Sequence, residues 1–119
     1  MLNLDKVSVL VQSLFKTDEL LEKVQQQLKK DFVIFDEMDQ LVINCSNEKV
    51  FKAQLSEVLS NWSKKDPEQF MHCIYMVDLP EHITKGFYQS RKLSWEELVD
   101  YIFRREVLKI YLRAKFSAQ

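Results

Sequence analysis

Apolar residues recur three and four positions apart along most of this sequence, and that spacing predicts helices. The pattern covers five segments, with one further helical turn at 81–85: residues 4–15, 18–30, 46–63, 66–79 and 95–115. The first two segments can also join into one bent helix. The predicted fold is therefore mainly α, with four to five helices in a small bundle.

Residues 32–44 differ from the helical segments. They hold two runs of β-branched and aromatic residues, FVIF and LVIN, separated by the polar sequence DEMDQ. Such runs form either a small β-hairpin or an irregular hydrophobic connection. No Asn-Gly or Asp-Gly pair marks a tight turn between them, so both alternatives stay open.

The longest apolar run lies between Asp66 and His82. Asp66 can cap the start of a helix, Pro67 suits its first position, and Pro80 disfavours helical geometry at the residue before it. Apolar residues lie on nearly every side of this predicted helix, which is typical of a helix buried in the middle of a domain. We therefore expect the other helices to pack around it.

Two further signals define the second half of the chain. Ser94 and Glu97 are spaced as a capping box, and Leu93 and Leu98 as the hydrophobic staple around it, so the last helix should begin at residue 95. Gly86, the only glycine, is a candidate for a left-handed position that closes the turn at 81–85. A single glycine also argues against the glycine-rich loops that bind nucleotide phosphates.

Length and composition indicate one helical domain spanning residues 1–119. No apolar run approaches the roughly 20 residues that a membrane helix needs. The two cysteines, Cys45 and Cys73, do not suggest a disulfide framework, which favours free thiols and a cytoplasmic location. We expect no cofactor and no metal.

The charges are distributed unevenly. The formal net charge is only −1, which argues against nucleic acid as the main partner. All four arginines nevertheless lie at or after position 91, so the last helix is basic. Weak nucleic-acid binding through this helix, with Arg91, Lys92, Arg104 and Lys115 on phosphates, is the third candidate function.

Glu106 is the most informative charged residue of the last helix. On a helical wheel it falls in the middle of the apolar face, with Lys109 and Arg113 along one edge and Arg105 at the other. An unpaired buried charge is costly, so this carboxylate needs either a partner or a shifted pKa. It can therefore be part of a structural ion pair, or a general acid or base; the ion pair is the favoured interpretation.

Asp78 and Glu81 lie at the end of the apolar helix, next to His82. No metal-binding spacing accompanies them, so we expect these carboxylates to meet the arginines of the last helix. If that helix packs antiparallel to the apolar one, Arg104 and Arg105 should lie nearest to Asp78. Glu106 would then pair with Lys109 or Arg113.

The sequences IYMVDLPE (74–81) and IFRREVLKIYLRAKF (102–116) resemble a group of small, mainly helical bacterial proteins, of the Bacteroidetes type, that have no assigned activity. In that group a Tyr-Arg-x-Asp pattern is common, whereas this chain has Met76 at the position of the arginine. The resemblance implies a helical fold and one polar set of interest: Asp78, Glu81, Arg105, Glu106, Lys109 and Arg113. It implies no reaction.

The expected function is that of a small cytoplasmic interaction or accessory protein. It would bind a protein partner, or itself as a homodimer, through an exposed apolar and aromatic helix face. Seven aromatic residues motivate this, because one small core does not need them all: Phe15, Phe35, Trp62, Phe87, Tyr88, Tyr111 and Phe116. The sequence identifies no catalytic residue, and a small enzyme using Glu106 or Asp78 as acid or base is the second candidate.

Overall fold

The computed structural model describes residues 16–31, 47–87 and 93–117. These residues form five helices: α1 (Thr17–Asp31), α2 (Glu48–Lys65), α3 (Pro67–Val77), α4 (Glu81–Lys85) and α5 (Trp95–Ser117). The prediction of a mainly α fold is confirmed, and no strand occurs in the described ranges. The helix predicted at 4–15 and residues 32–44, for which a hairpin and an irregular connection were the alternatives, lie outside them.

Side-chain caps fix where three of the helices begin. Asn47 caps α2, because its Oδ1 accepts the backbone N–H of Val50 at 3.1 Å. Asp66 caps α3 as predicted by accepting the N–H of Gln69 at 3.2 Å. Each cap pairs one of the N–H groups that the first turn of a helix leaves without a partner.

The capping box at the start of α5 forms as the sequence predicts. Ser94 Oγ accepts the N–H of Glu97 at 3.1 Å, and Glu97 Oε1 accepts the N–H of Ser94 at 3.4 Å. Leu98 is fully buried and Leu93 packs against the core beside it. These reciprocal bonds explain why α5 starts at Trp95.

Replacing Ser94 by alanine should therefore lower the free energy of unfolding by about 0.5–2 kcal/mol, because one N–H of the first turn loses its acceptor. Glycine at the same position should cost only a few tenths of a kcal/mol, since glycine lets water reach that N–H. Urea unfolding of the two variants measures both values. Equal, near-zero losses would show that the cap does not hold the start of α5.

The helix in the middle of the domain is α5, and the expectation that α3 occupies this place is wrong. α5 packs against both α1 and α2, whereas α3 packs mainly against α2. Ile74 and Val77 of α3 are buried, but Met71, Tyr75 and Met76 on its outer side are exposed. The apolar run predicted burial on all sides of α3. Among the described residues, however, only the inner face of this helix packs against other helices.

A chain of aromatic rings joins four parts of the fold. Trp62 of α2 contacts Phe70 of α3 with ring centroids 5.9 Å apart, and Phe70 contacts Trp95 of α5 at 5.4 Å. Phe87, just after α4, contacts Trp95 at 4.9 Å. Such tilted and edge-on contacts add to the burial of the rings. Trp62 and Phe87 are thus core residues, which corrects their assignment to an exposed face.

Gly86 does not adopt the left-handed conformation predicted for it. Its φ and ψ are −59° and −38°, which are ordinary helical values. A Cβ on this residue would lie 2.8 Å from Leu93 Cδ1, the end of a flexible side chain that can move aside, so the structure gives no strong reason for a glycine here. The left-handed residue is Asp78, which ends α3 with φ of 63°. Aspartate tolerates this conformation better than most residues.

Candidate functional site

A buried polar cluster lies where α1, α3 and α5 meet. Lys109 Nζ of α5 donates to Asp31 Oδ2 of α1 at 2.7 Å and to the carbonyl oxygen of Met76 at 3.4 Å. Gln27 Nε2 donates to Asp31 Oδ1 at 3.3 Å. Glu106 is fully buried beside them, with Oε1 3.5 Å from Lys109 Nζ. We call Gln27, Asp31, Glu106 and Lys109 the buried cluster.

Helical spacing on two elements builds this cluster. Gln27 and Asp31 are four residues apart on α1, and they continue the face that buries Val24 and Leu28. Glu106 and Lys109 are three residues apart on α5. Residues three and four apart lie on one face of a helix, so each pair faces the other across the contact between α1 and α5.

Glu106 holds a proton at neutral pH. Its pKa is raised to about 9, mainly by burial and also by the hydrogen bond with the Asp31 carboxylate, while Lys109 acts in the opposite direction. Among the described residues, no group is placed to donate a good hydrogen bond to either oxygen of Glu106. When the carboxyl is protonated, one of these oxygens is a donor rather than an acceptor, and the Asp31 carboxylate can accept its hydrogen.

Asp31 carries the negative charge of the cluster. Burial alone would raise its pKa, but the hydrogen bonds from Glu106 and Lys109 outweigh burial and hold the pKa below its usual value. The cluster thus contains one neutral carboxyl, one carboxylate and one ammonium group. Its charges balance, which is the condition under which ionised groups are tolerated inside a protein.

Cys73 of α3 is a core residue and not a nucleophile. It is fully buried, and burial together with the nearby Asp31 charge raises the pKa of its thiol to about 12. A reactive cysteine needs a lowered pKa, because the thiolate is the attacking species. Cys73 therefore serves as a small apolar residue of the core.

A second polar contact ties the end of α3 to α5. Arg105 donates through Nε to the carbonyl oxygen of Asp78 and through its NH2 group to Asp78 Oδ2, both at 3.1 Å. The first bond engages the left-handed residue that ends α3, so the guanidinium also holds the turn. The sequence predicted this pair, and Lys109 beside Glu106, and both form. The antiparallel arrangement assumed for them is wrong, because Phe70 at the start of α3 contacts Trp95 at the start of α5, while Lys109 lies near Met76 at the end of α3.

Asp78→Asn should destabilise the protein less than Arg105→Gln, because only the second change removes the bond to the carbonyl oxygen. The Asp78 side chain is 79% exposed, so the coupling between the two residues should be about 0.2–1 kcal/mol. A double-mutant cycle by urea unfolding measures this coupling. Strict additivity of the two changes would contradict the contact.

The other predicted site residues lie apart from these two contacts. Glu81 pairs with Lys85 on its own helix at 2.8 Å and not with an arginine of α5, because α4 turns its exposed carboxylate toward solvent. Arg104 pairs with Asp100 at 2.8 Å. Arg113 lines a cavity between α1 and α5. The polar set predicted from the sequence is therefore divided among separate places on the fold.

Three surface cavities are relevant to function. One of about 440 Å³ lies along α3 and α4, and one of about 170 Å³ lies between α1 and α5. A third, of about 420 Å³, lies between α2 and the start of α5. Glu106 lines none of these three cavities. A small enzyme that uses Glu106 or Asp78 as acid or base stays a prediction.

Comparison with protein-family models, with curated proteins and with solved structures found no match to this chain. The resemblance to small bacterial helical proteins therefore stays a prediction. In the part of the chain that the structure describes, no helix has the length and hydropathy needed to cross a membrane. The same residues contain no group of three or more histidine, cysteine or acidic side chains arranged to hold a metal.

Proposed function

We propose that this chain is an interaction protein that binds a protein partner through the outer face of α3 and the adjoining groove. The observation that carries the proposal is the exposure of three large apolar residues on one helix of 11 residues: Met71 at 40%, Tyr75 at 70% and Met76 at 48%. Exposed apolar residues grouped in this way are typical of binding surfaces.

The groove beside this face has the composition of a peptide-binding surface. It is lined by apolar and aromatic residues of α3 and the following turn together with polar and charged ones: Met71, Ile74, Tyr75, Leu79, Asp78, Glu81, Thr84 and Lys85. Methionine side chains adapt to partners of different shape, and tyrosine offers a rigid ring with a polar end.

An amphipathic helix is the occupant that this surface fits best. A helix of 11 residues is roughly 16 Å long, and its outer face offers much less than the ~800 Å² per partner that a stable dimer buries. A helix lying in the groove would contact α3 and α4 together, which is a common mode of peptide recognition. Asp78 and Glu81 of this lining already pair with Arg105 and Lys85, so the apolar anchors of the helix would supply most of its affinity.

The test is a selection from a library of displayed amphipathic helical peptides, followed by binding measurements on two variants. Peptides that bind the wild-type protein should bind the Tyr75→Ser variant at least about tenfold more weakly, because Tyr75 is the most exposed anchor. Phe116→Ser is the matched control, since Phe116 is 61% exposed at the far end of α5. The proposal would be overturned by peptides whose affinity is unchanged in Tyr75→Ser, or whose affinity falls equally in both variants.

Sedimentation of the protein alone separates a foreign partner from a second copy. A 14.3 kDa species at high micromolar concentration supports a different protein as partner. A dimer that Tyr75→Ser dissociates would instead make a second copy the occupant of the groove. A dimer that persists in this variant would place self-association elsewhere on the surface.

A further inference from the structure

The two methionines that the structure describes both lie on α3, and both are exposed. Met71 is 40% exposed and Met76 is 48% exposed, whereas the described core is built from other apolar residues and contains no methionine. Cys73, the remaining sulfur-containing residue of the described ranges, is fully buried. An oxidant dissolved in water therefore reaches the described thioethers, while the described thiol is shielded from it.

Met71 lines the groove beside α3 together with Tyr75, which lies one turn further along the helix. Met76 lies outside this lining. Asp78 and Glu81 of the same groove are already paired with cations, so apolar contacts supply most of the affinity for a bound helix. A change in the polarity of Met71 is therefore a change in the contacts on which binding depends.

We propose that Met71 is an oxidation site that controls ligand binding at this groove, with hydrogen peroxide as the oxidant. This inference rests on the proposed function, because it assigns a regulation to the same groove. The thioether sulfur attacks one oxygen of the peroxide, so that a sulfur–oxygen bond forms and the oxygen–oxygen bond breaks. The hydrogen on the attacked oxygen passes to the departing oxygen, which leaves as water. The sulfur is oxidised by two electrons to the sulfoxide, and the peroxide is reduced by two.

The sulfoxide changes the groove without changing the fold. It replaces an apolar thioether by a polar, chiral group. Under the apolar side of a bound helix, the new oxygen would lose its water without gaining a hydrogen-bond donor, so the selected peptides should bind at least about tenfold more weakly. Methionine oxidation disrupts a protein when the residue belongs to its core, and Met71 does not.

The test treats the purified protein with hydrogen peroxide and follows two independent readouts. Mass spectrometry of the tryptic peptide 66–85 measures the oxygen added at Met71 and needs no ligand. Calorimetry measures the affinity for peptides whose binding depends on Tyr75. Oxidation at Met71 with weakened binding and an unchanged urea midpoint is the expected result. A Met71 that stays reduced while Met76 is oxidised, or an oxidised Met71 with unchanged binding, would overturn the proposal.

Two variants assign the effect to one sulfur. Met71→Leu keeps an apolar side chain without the thioether, so it should bind the peptides nearly as wild type does and should keep that affinity after peroxide treatment. Met76→Leu is the matched control, because it removes the other exposed thioether of α3 and should still lose binding on treatment. Equal losses in treated Met71→Leu and treated wild type would assign the effect to another residue and overturn the proposal.

Reduction should restore binding, because the sulfoxide is the reversible product of methionine oxidation. A methionine sulfoxide reductase uses two thiols, which become a disulfide while the sulfoxide oxygen leaves as water. Binding that stays weak although Met71 is again a thioether would overturn the proposal.

Failure of this inference differs from failure of the proposed function. Peptides that bind the untreated protein independently of Tyr75 overturn the proposed function, and this inference with it. Peptides that depend on Tyr75 but bind equally well to the protein with and without the sulfoxide at Met71 overturn the inference alone.

Discussion

Replacing Glu106 by glutamine should make the protein progressively more stable than wild type as the pH rises from about 5 to 9. Glutamine has the shape of the neutral carboxyl and keeps a donor for Asp31, but it never ionises. In the folded protein Glu106 has a pKa of about 9, against an ordinary value of 4.5. The wild-type carboxyl must therefore take up or keep a proton in order to be buried.

The sign of this effect follows from which state binds the proton. A carboxyl with a raised folded pKa favours the folded state below its unfolded pKa, and this contribution is lost as the pH rises through the folded pKa. Each pH unit in that window costs wild type about 1.4 kcal/mol relative to the glutamine variant. Between about pH 5.5 and 8.5 the difference should reach on the order of 3–4 kcal/mol.

Urea unfolding at four or five pH values measures this difference. Glu96→Gln makes the same chemical change at an exposed position of α5, so its stability should run parallel to that of wild type. A Glu106→Gln curve that is also parallel to wild type would show that Glu106 is ionised in the folded protein and that the buried cluster is arranged differently.

Removing both carboxyl groups of the buried cluster should be far worse than removing either one. In Asp31→Asn, Glu106 can ionise and become the partner of Lys109, whose Nζ is 3.5 Å from its Oε1. In Glu106→Gln, Asp31 remains in place. In the double variant, Lys109 keeps its charge in a largely buried position without a carboxylate. Breaking a buried ion pair in this way costs about 3–5 kcal/mol.

A double-mutant cycle at about pH 7 tests whether Glu106 can replace Asp31 as the partner of Lys109. Asp31→Asn alone should cost about 1–2 kcal/mol, and the double variant should cost more than the sum of the two single changes. Adding Lys109→Met should recover part of the loss, because it removes the stranded charge. Glu22→Gln, at an exposed position of α1, controls for the loss of a carboxylate. If the loss in the double variant equals the sum of the losses in the two single variants, the ammonium group of Lys109 reaches solvent.

The sequence predicted the local features of this fold well. The caps at Asp66 and Ser94 depend on residues within one turn of each other, so short-range spacing is enough to find them. Glu106 was also found, because a helical wheel places it on the apolar face of α5. The pairing of Arg105 with Asp78 was predicted from an antiparallel arrangement of α3 and α5, and the pair forms although the contacts between these helices run in the parallel sense.

The buried cluster was only half predicted, because its other half lies on α1. Asp31 is 75 positions before Glu106, and it follows two lysines that make the end of α1 look like a solvent-exposed terminus. One signal was available: the stripe of Leu21, Val24 and Leu28 continues at helical spacing to Asp31. The partner of Glu106 still depends on which helices touch, and periodicity within one helix does not contain that information.

The apolar character of α3 was interpreted as burial, although it reflects exposure as well. Phe70 and Val77 face α2 and the core, while Met71 and Tyr75 on the same helix face outward. The composition of a helix gives the number of its apolar residues, but it does not show how many sides of the helix pack against other elements. That is why the organising role was assigned to α3 when α5, with a more mixed composition, occupies the middle.

The proton on Glu106 also changes the electrical description of the whole molecule. The formal charge of −1 counts 17 positive and 18 negative side chains, with Glu106 among the negative ones. With that carboxyl neutral, 17 positive charges face 17 negative ones, and the folded protein has no net charge at pH 7 on this count. The unfolded chain keeps its excess negative charge. Folding at neutral pH is therefore coupled to the uptake of about one proton from the surrounding buffer.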